Sequence, residues 1–199
     1  MTGEPLRVPL RADVLLHLPI VLAASSSGMG GGSGAIAPGF MGVTLLCVGK
    51  LRERYYADAA AEYVKRLRRL MPVTLAEVPD ESEPAKPLAV LQERVLRREG
   101  DRILSYIAQG VYVIALCAEG AQWTSPEFAD KLQGLFTRGK SDVTFVIGGS
   151  LGLHEDVLNR ADERLSMGRL TFPHTLARVM LLEQLFRAAK INAGERYHK

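Results

Sequence analysis

The carboxyl-terminal third of the chain carries residues whose types suit chemistry on a bound ligand. The turn Ile147-Gly148-Gly149 follows an apolar run, and the chain ends in Tyr197-His198-Lys199. Two glycines remove two side chains where the backbone must approach a ligand, although a plain turn uses the same pair. An aromatic ring, an imidazole and an ammonium offer stacking, proton transfer and charge, unless the terminus is frayed and idle. We interpret the two segments as parts of one site.

The elements that must position this site alternate along the chain between apolar strands and helices. The pattern predicts strands at 43–48, 73–78, 111–117 and 143–147, and helices at 56–70, 88–107, 125–136 and 176–191. Thr124, Ser125 and Pro126 signal the start of the third helix. Strands of nearly continuous apolar character separated by helices predict an α/β fold, with a parallel sheet covered by helices on both faces.

Three loops should meet at the carboxyl edge of this sheet, where open parallel sheets bind ligands. They follow Leu116, Ile147 and Ser166. Gly148, Gly149 and Gly152 form neither a dinucleotide fingerprint nor a P-loop, which disfavours a nicotinamide or nucleoside triphosphate cofactor. The remaining interpretation is a glycine-walled slot with apolar sides, suited to an adenosine-like group. The expected apolar sides are Leu116, Leu151, Leu153, Met167, Leu170 and Phe172.

Composition sets the class of protein. The chain has 199 residues and is 47% hydrophobic, which suffices for one sizeable core. Its longest apolar stretch, residues 14–24, contains His17 and Pro19 and is too short for a membrane helix. Cys47 and Cys117 lie in separate strand-like runs, so we interpret them as core thiols in a reducing compartment, with no metal site.

The net charge of +3 belongs entirely to residues 41–199. Residues 50–69 form a local basic patch, with seven lysines and arginines against three acidic residues. A patch of this kind on a helix is either a solvated face or a contact for the phosphates of a polyanion.

The first forty residues differ in kind from the rest. Residues 23–34 are almost entirely Ser, Gly and Ala, a composition typical of a flexible linker, and Met41 stands directly before the first strand. A signal peptide and an organellar transit peptide are both disfavoured, since Pro19 interrupts the apolar core and acids accompany the few arginines. We expect residues 1–40 to be a dispensable extension and residues 41–199 to form a single domain.

Several spaced motifs in the second half closely resemble the ribosomal RNA large-subunit methyltransferase H family, a small member of the SPOUT class of trefoil-knotted methyltransferases. The motifs are residues 147–152, 165–167, 170–174, 177–179, 182–188 and 194–199. The resemblance continues back to Met41 through 48–51, 63–67 and 116–120. The departures are Ser150, where a proline or alanine often follows the glycines, and the extension, which has no family counterpart.

The resemblance implies a specific activity. Members transfer a methyl group from S-adenosylmethionine to N3 of a pseudouridine in large-subunit (23S) ribosomal RNA, and they act on assembled ribosomes as cytoplasmic homodimers. It also implies a carboxyl-terminal trefoil knot and neither a metal nor a membrane. An organellar location is the alternative if the extension is a transit peptide. The implied S-adenosylmethionine contacts are Leu116, Gly148, Gly149, Met167, Gly168, Arg169, Leu170, Thr171 and Phe172.

For this reaction, N3 must lose a proton and must be aligned with the methyl donor. His198 is the natural general base, because the unperturbed pKa of histidine lies near ~6.5. Tyr197 can stack on a base flipped out of its stem, and Lys199 can stabilise an anionic base or grip phosphates. His174 either caps the helix that begins near Thr175 or contacts a ligand.

The last helix is apolar on much of its surface and needs two burying surfaces, the sheet and a second subunit. Arg178 and Arg187 could each serve an interface or contact RNA, and the tail of one subunit could complete the pocket of the other. The alternative function is a non-catalytic ribosome- or RNA-binding module with a vestigial adenosine slot, which the intact tail opposes. A nucleotide-binding oxidoreductase is opposed by the missing fingerprint.

Overall fold

A computed structural model describes residues 42–140, 142–195 and 197, apart from the side chain of Phe136. The strands are β1 (Gly42–Val48), β2 (Val73–Val78), β3 (Tyr112–Ala121), β4 (Asp142–Ile147) and β5 (Glu163–Leu165). The helices are α1 (Arg54–Leu67), α2 (Ala89–Tyr106), α3 (Ser125–Thr137), α4 (Glu155–Arg160) and α5 (His174–Asn192).

The five strands form one parallel sheet in the order β2-β1-β4-β3-β5. Helices α1, α3 and α5 pack together on one face, and α2 packs with α4 on the other. Side chains of β1 alternate between the two layers, because Leu45 and Cys47 join the first core cluster and Leu46 and Val48 join the second. The predicted α/β fold with a parallel sheet and helices on both faces is confirmed.

The start of α3 is also confirmed, and its cap has a defined geometry. The backbone N–H of Thr124 donates to Glu127 Oε2 at 2.7 Å, and the backbone N–H of Glu127 donates to Thr124 Oγ1 at 3.4 Å. This reciprocal pair is a capping box. The Cys47 thiol is fully buried, and burial raises its pKa to about 12, as expected of a core thiol.

Two elements were not predicted from the sequence. Helix α4 has six residues and β5 has three, so neither is long enough to show a hydrophobic period. Helix α4 begins with an unusual cap, in which the backbone N–H of Asp156 donates to His154 Nδ1 at 3.1 Å. Strand β3 also runs four residues beyond its predicted end, with a register shift between Leu116 and Ala121 against β5.

Helix α5 is fixed to the sheet by a buried arginine. Arg178 has no exposed surface, and its guanidinium donates to Glu77 Oε1 at 3.1 Å, to the carbonyl oxygen of Gly49 at 3.1 Å and to that of Val48. Glu77 Oε1 also accepts the backbone N–H of Leu51 at 3.2 Å. One guanidinium therefore joins α5, the end of β2 and the loop that follows β1.

Replacing Arg178 with alanine should lower the free energy of unfolding by about 3–5 kcal/mol, because Glu77 and two buried carbonyl groups lose their donor. Chemical denaturation monitored by circular dichroism measures this loss. Arg52→Ala is the matched control, since Arg52 pairs with Asp80 at 3.5 Å while its side chain is 78% exposed. The control should lose at most about 1 kcal/mol. Equal losses in the two variants would contradict the anchoring role.

Candidate functional site

The structure brings two of the three predicted loops together at the carboxyl edge. Leu116 pairs in register with Leu165 of β5, and the backbone N–H of Ser166 donates to the carbonyl oxygen of Ala121 at 2.9 Å. Met167 therefore follows directly from a strand that lies against Leu116. This close approach depends on Gly120, where a Cβ would collide with the backbone of Leu165.

The glycine loop after β4 is closed on itself. Gly149 and Gly152 form an antiparallel bridge, in which the Gly152 N–H donates to the Gly149 carbonyl at 3.2 Å, and Gly152 has a φ of 90°. A Cβ on Gly148 would collide with the carbonyl group of Gly152. The small size of Gly148 therefore serves the closure of the loop. A valine at 148 would disrupt this loop rather than fill a ligand slot.

Gly149 faces a buried carboxylate. A Cβ on Gly149 would lie 3.0 Å from Glu99 Oε2 and 3.3 Å from Val48 Cγ1. Glu99 is only 4% exposed, and its Oε1 accepts the backbone N–H of Glu81 at 2.9 Å. Burial raises the pKa of Glu99, while the hydrogen bond from Glu81 lowers it. Glu99 therefore holds the glycine loop and the loop after β2 against helix α2.

Sequence reasoning missed Glu99, although a signal was present. Val95, Glu99 and Ile103 recur at helical spacing on the buried side of α2. An acidic residue at a position that the helical period places in the core either has a hydrogen-bond partner nearby or has a function.

Helix α2 also positions the far end of the glycine loop. His154 is buried, and its Nε2 lies 2.9 Å from Glu93 Oε1 of α2. A Cβ on Gly100 would lie 2.9 Å from His154 Cβ, so a side chain at 100 would push the two elements apart.

The segment after β5 turns sharply and then becomes exposed. Ser166 Oγ donates to the Gly168 carbonyl at 3.1 Å, the Gly168 N–H donates to Ser166 Oγ at 3.3 Å, and Gly168 has a φ of 129°. Arg169, Leu170 and Thr171 are exposed, and Phe172 is half-buried. Among the described residues, the backbone of 169–172 makes no internal hydrogen bond. We refer to residues 169–172 as the ledge.

The predicted apolar slot is not continuous in this structure. Leu170 is 75% exposed, and Leu153 packs in the core cluster on the α2 and α4 side of the sheet, whereas Met167 borders the other cluster. A cavity of ≈ 340 Å³ lies between the start of α3, Ser166 to Gly168 and the middle of α5. Its lining includes neither Leu116 nor Gly148.

Tyr197 packs near the carboxyl-terminal end of α5, away from the glycine loop of its own chain. The Tyr197 ring packs edge-on against Phe186 with centroids 5.1 Å apart, and the Arg187 guanidinium lies 4.9 Å from the Tyr197 ring. Arg178 contacts Val48 O at the carboxyl edge, and Phe186 follows eight residues later, roughly 12 Å along the helix. His198 and Lys199 lie outside the described residues.

His174 does not cap a helix. It is the first residue of α5, the capping position belongs to Pro173, and no side chain caps this terminus. Burial and the neighbouring Arg178 lower the pKa of His174, which favours a neutral imidazole. The capping interpretation is therefore wrong.

The family model described as "Predicted SPOUT methyltransferase" matches residues 41–198. The chain therefore belongs to the SPOUT methyltransferase family, and it is a methyltransferase. Proteins called "Ribosomal RNA large subunit methyltransferase H" from Lactobacillus helveticus and Listeria monocytogenes are each 51% identical to it over 159 residues. The protein of that name from Bifidobacterium adolescentis is 48% identical. Each alignment covers 80% of this chain and 100% of the relative.

Glu99→Gln should stabilise the protein at neutral and alkaline pH. Because the folded-state pKa of Glu99 is raised, the ionised form costs stability above the unfolded pKa of about 4.3. The glutamine oxygen can still accept the Glu81 N–H. The gain in melting temperature should therefore be smallest near pH 4 and should grow as the pH rises through the raised pKa.

Asp101→Asn is the matched control, since Asp101 lies on the same helix and is exposed. Thermal melts of parent, variant and control between pH 4 and pH 9 measure the effect. A gain for Glu99→Gln that does not depend on pH would show that the buried carboxylate carries no ionisation cost.

Proposed function

We propose that this chain transfers a methyl group from S-adenosylmethionine to N3 of a pseudouridine in large-subunit (23S) ribosomal RNA, acting on assembled ribosomes. The observation that carries the proposal is the 51% identity over the full length of relatives named for that class of reaction. The match to the family model includes the glycine loop, the ledge and Tyr197. We infer a cytoplasmic location; no helix among the described residues could cross a membrane.

The residues at the carboxyl edge fit the methyl donor. The ledge offers backbone N–H and C=O groups with no internal partner among the described residues, which suits the polar edge of an adenine or ribose. Half-buried Leu116, Met167 and Phe172 supply apolar surface beside it. Gly168 lets the backbone come close, because no described atom lies within 4 Å of where its Cβ would be, and Gly148 and Gly149 contribute backbone groups in this proposal. When bound, S-adenosylmethionine supplies a methyl group on a positively charged sulfur.

Within the described ranges, no group of three or more histidine, cysteine or acidic side chains is placed to hold a metal ion. We expect the segment from β5 to α5 to form the trefoil knot of the family, with the ledge as part of it.

In the proposed reaction, the tail deprotonates and holds the target base. His198 takes the N3 proton, Lys199 stabilises the resulting anion, and Tyr197 stacks on the target base. The seat of Tyr197 against Phe186 lies roughly 12 Å along α5 from the level of the glycine loop. Two further residues extend at most about 7 Å.

We infer that the tail serves the pocket of a second subunit. Helix α5 supports this arrangement, because Val179, Met180 and Gln184 remain only half-buried although the helix already packs on α1 and α3. A homodimer that covers this face can place the tail of each subunit at the carboxyl edge of its partner.

His198→Ala should lower the single-turnover rate of methylation by roughly 10²–10⁴, the usual effect of losing a general base. The deficit should shrink as the pH rises and N3 loses its proton unaided. Ribosomes from a strain that lacks the gene are the substrate, and mass spectrometry of the ribosomal RNA locates the methyl group. Calorimetric titration with S-adenosylmethionine should show unchanged affinity.

Two outcomes would contradict this scheme. An unchanged rate for His198→Ala at neutral pH would remove the imidazole from catalysis. A parent protein that binds ribosomes and S-adenosylmethionine but transfers no methyl group would favour the non-catalytic RNA-binding alternative.

Mixed dimers test whether the tail acts on the partner subunit. Thr171→Trp blocks the exposed ledge and keeps the tail, while deletion of residues 197–199 keeps the ledge. Each protein alone should be inactive. After subunit exchange, about half of the dimers are mixed, and each mixed dimer has one complete site, so about a quarter of parent activity should return. No recovery in dimers shown to be mixed would indicate that the tail acts within its own chain.

A further inference from the structure

Helices α1 and α5 enclose a positively charged groove with a volume of ≈ 320 Å³. Its lining consists of four cations, one acidic residue and an apolar floor: Lys65, Arg66, Arg69, Lys190, Glu62, Leu70 and Phe186. The groove is concave and draws its cations from two elements, which distinguishes it from the solvated face of a single helix.

Two of these cations have no carboxylate partner among the described residues. Arg66 pairs with Glu62 at 2.8 Å, and Lys190 pairs with Glu195 at 2.6 Å. Lys65 and Arg69 are exposed, and within the described part of the chain neither pairs with a carboxylate. The groove therefore has a positive charge that the protein itself does not neutralise.

Aromatic rings hold the other cations in place. The Arg66 guanidinium lies 5.8 Å from the centre of the Tyr63 ring, and Lys190 Nζ lies 5.7 Å from that of Phe186. A cation above an aromatic face is attracted by the electron density of the ring. These contacts limit the freedom of both side chains before any partner binds, which lowers the entropy cost of binding.

The groove is contiguous with the tail. Phe186 forms part of its floor and also carries the edge-on contact to Tyr197. Tyr197 therefore lies next to the groove.

We propose that this groove binds the phosphate backbone of the RNA beside the target nucleotide, on the subunit that lends its tail to the pocket of its partner. The inference rests on the proposed function. Spaced cations with an apolar floor suit phosphates and the sugars between them, and arginine presents a planar fork that matches phosphate oxygens. An acidic face of a ribosomal protein is the competing occupant.

The test is the salt dependence of ribosome binding by the double variant Lys65→Ala/Arg69→Ala. Loss of two phosphate contacts should weaken binding by on the order of tenfold at low salt and reduce the slope of log affinity against log salt by about 2. Affinity for S-adenosylmethionine and the single-turnover rate at saturating ribosomes should stay unchanged. Filter binding measures the affinity for ribosomes and its salt slope without requiring catalysis.

Arg94→Ala/Arg97→Ala is the matched control, because it removes two exposed arginines of α2 on the opposite face of the sheet. The control should retain the parent slope. Equal slopes for the two double variants would overturn the proposal. A parent that binds ribosomes with the expected slope but transfers no methyl group would contradict the proposed function and leave the groove supported.

Crosslinking identifies the occupant. Lys65→Cys in a Cys117→Ser background places a thiol at the rim of the groove, since the remaining Cys47 is fully buried. A photoactivatable crosslinker on that thiol should label ribosomal RNA. Labelling of ribosomal protein alone would overturn the assignment to RNA.

Discussion

The hydrogen bonds of the buried Arg178 guanidinium are the constraint on which the arrangement of the carboxyl-terminal half depends. Helix α5 is apolar on most sides, so hydrophobic packing alone would allow it to slide or rotate against α1 and α3. The Arg178 guanidinium has no exposed surface, and its terminal nitrogens donate where Glu77 and the carbonyl groups of Val48 and Gly49 meet. Any other register would leave a buried charge unpaired. The position of Arg178 therefore sets the register of the rest of α5 against the sheet.

Helix α2 holds the carboxyl edge of the sheet from the other face, also through buried polar contacts. The Glu99 carboxylate occupies the space beside Gly149, and His154 joins Glu93 to the start of α4. The glycine loop therefore lies between buried polar contacts from the two layers of helices. Gly148 and Gly149 pack against other parts of the protein, whereas the backbone of the ledge is exposed and can contact a ligand. This division explains why Gly148 is a poor position at which to probe ligand binding.

Much of the fold could be predicted because its long elements have strong periods. The first four strands and the four long helices follow from apolar runs and helical spacing, and the capping box marks the start of α3. Helix α4 and β5 are too short to carry such a signal. The packing of Gly148 against Gly152 could not be predicted, because the sequence shows that a side chain is missing but not which neighbour fills the space. The distance between Tyr197 and the glycine loop also depends on tertiary packing, which no local pattern encodes.

The location of the tail has a consequence for how one chain can work. Arg178 holds the start of α5 at the carboxyl edge, and near its end the Asn192 side chain donates to the carbonyl oxygen of Ala129 in α3 at 3.0 Å. These two contacts hold both ends of the helix, and Tyr197 packs on Phe186 near its carboxyl-terminal end. Tyr197 and the basic groove therefore share Phe186, whereas the ledge precedes the start of the helix. The proposed twofold dimer accounts for this separation, because each copy could present its tail and groove to the ledge of the other.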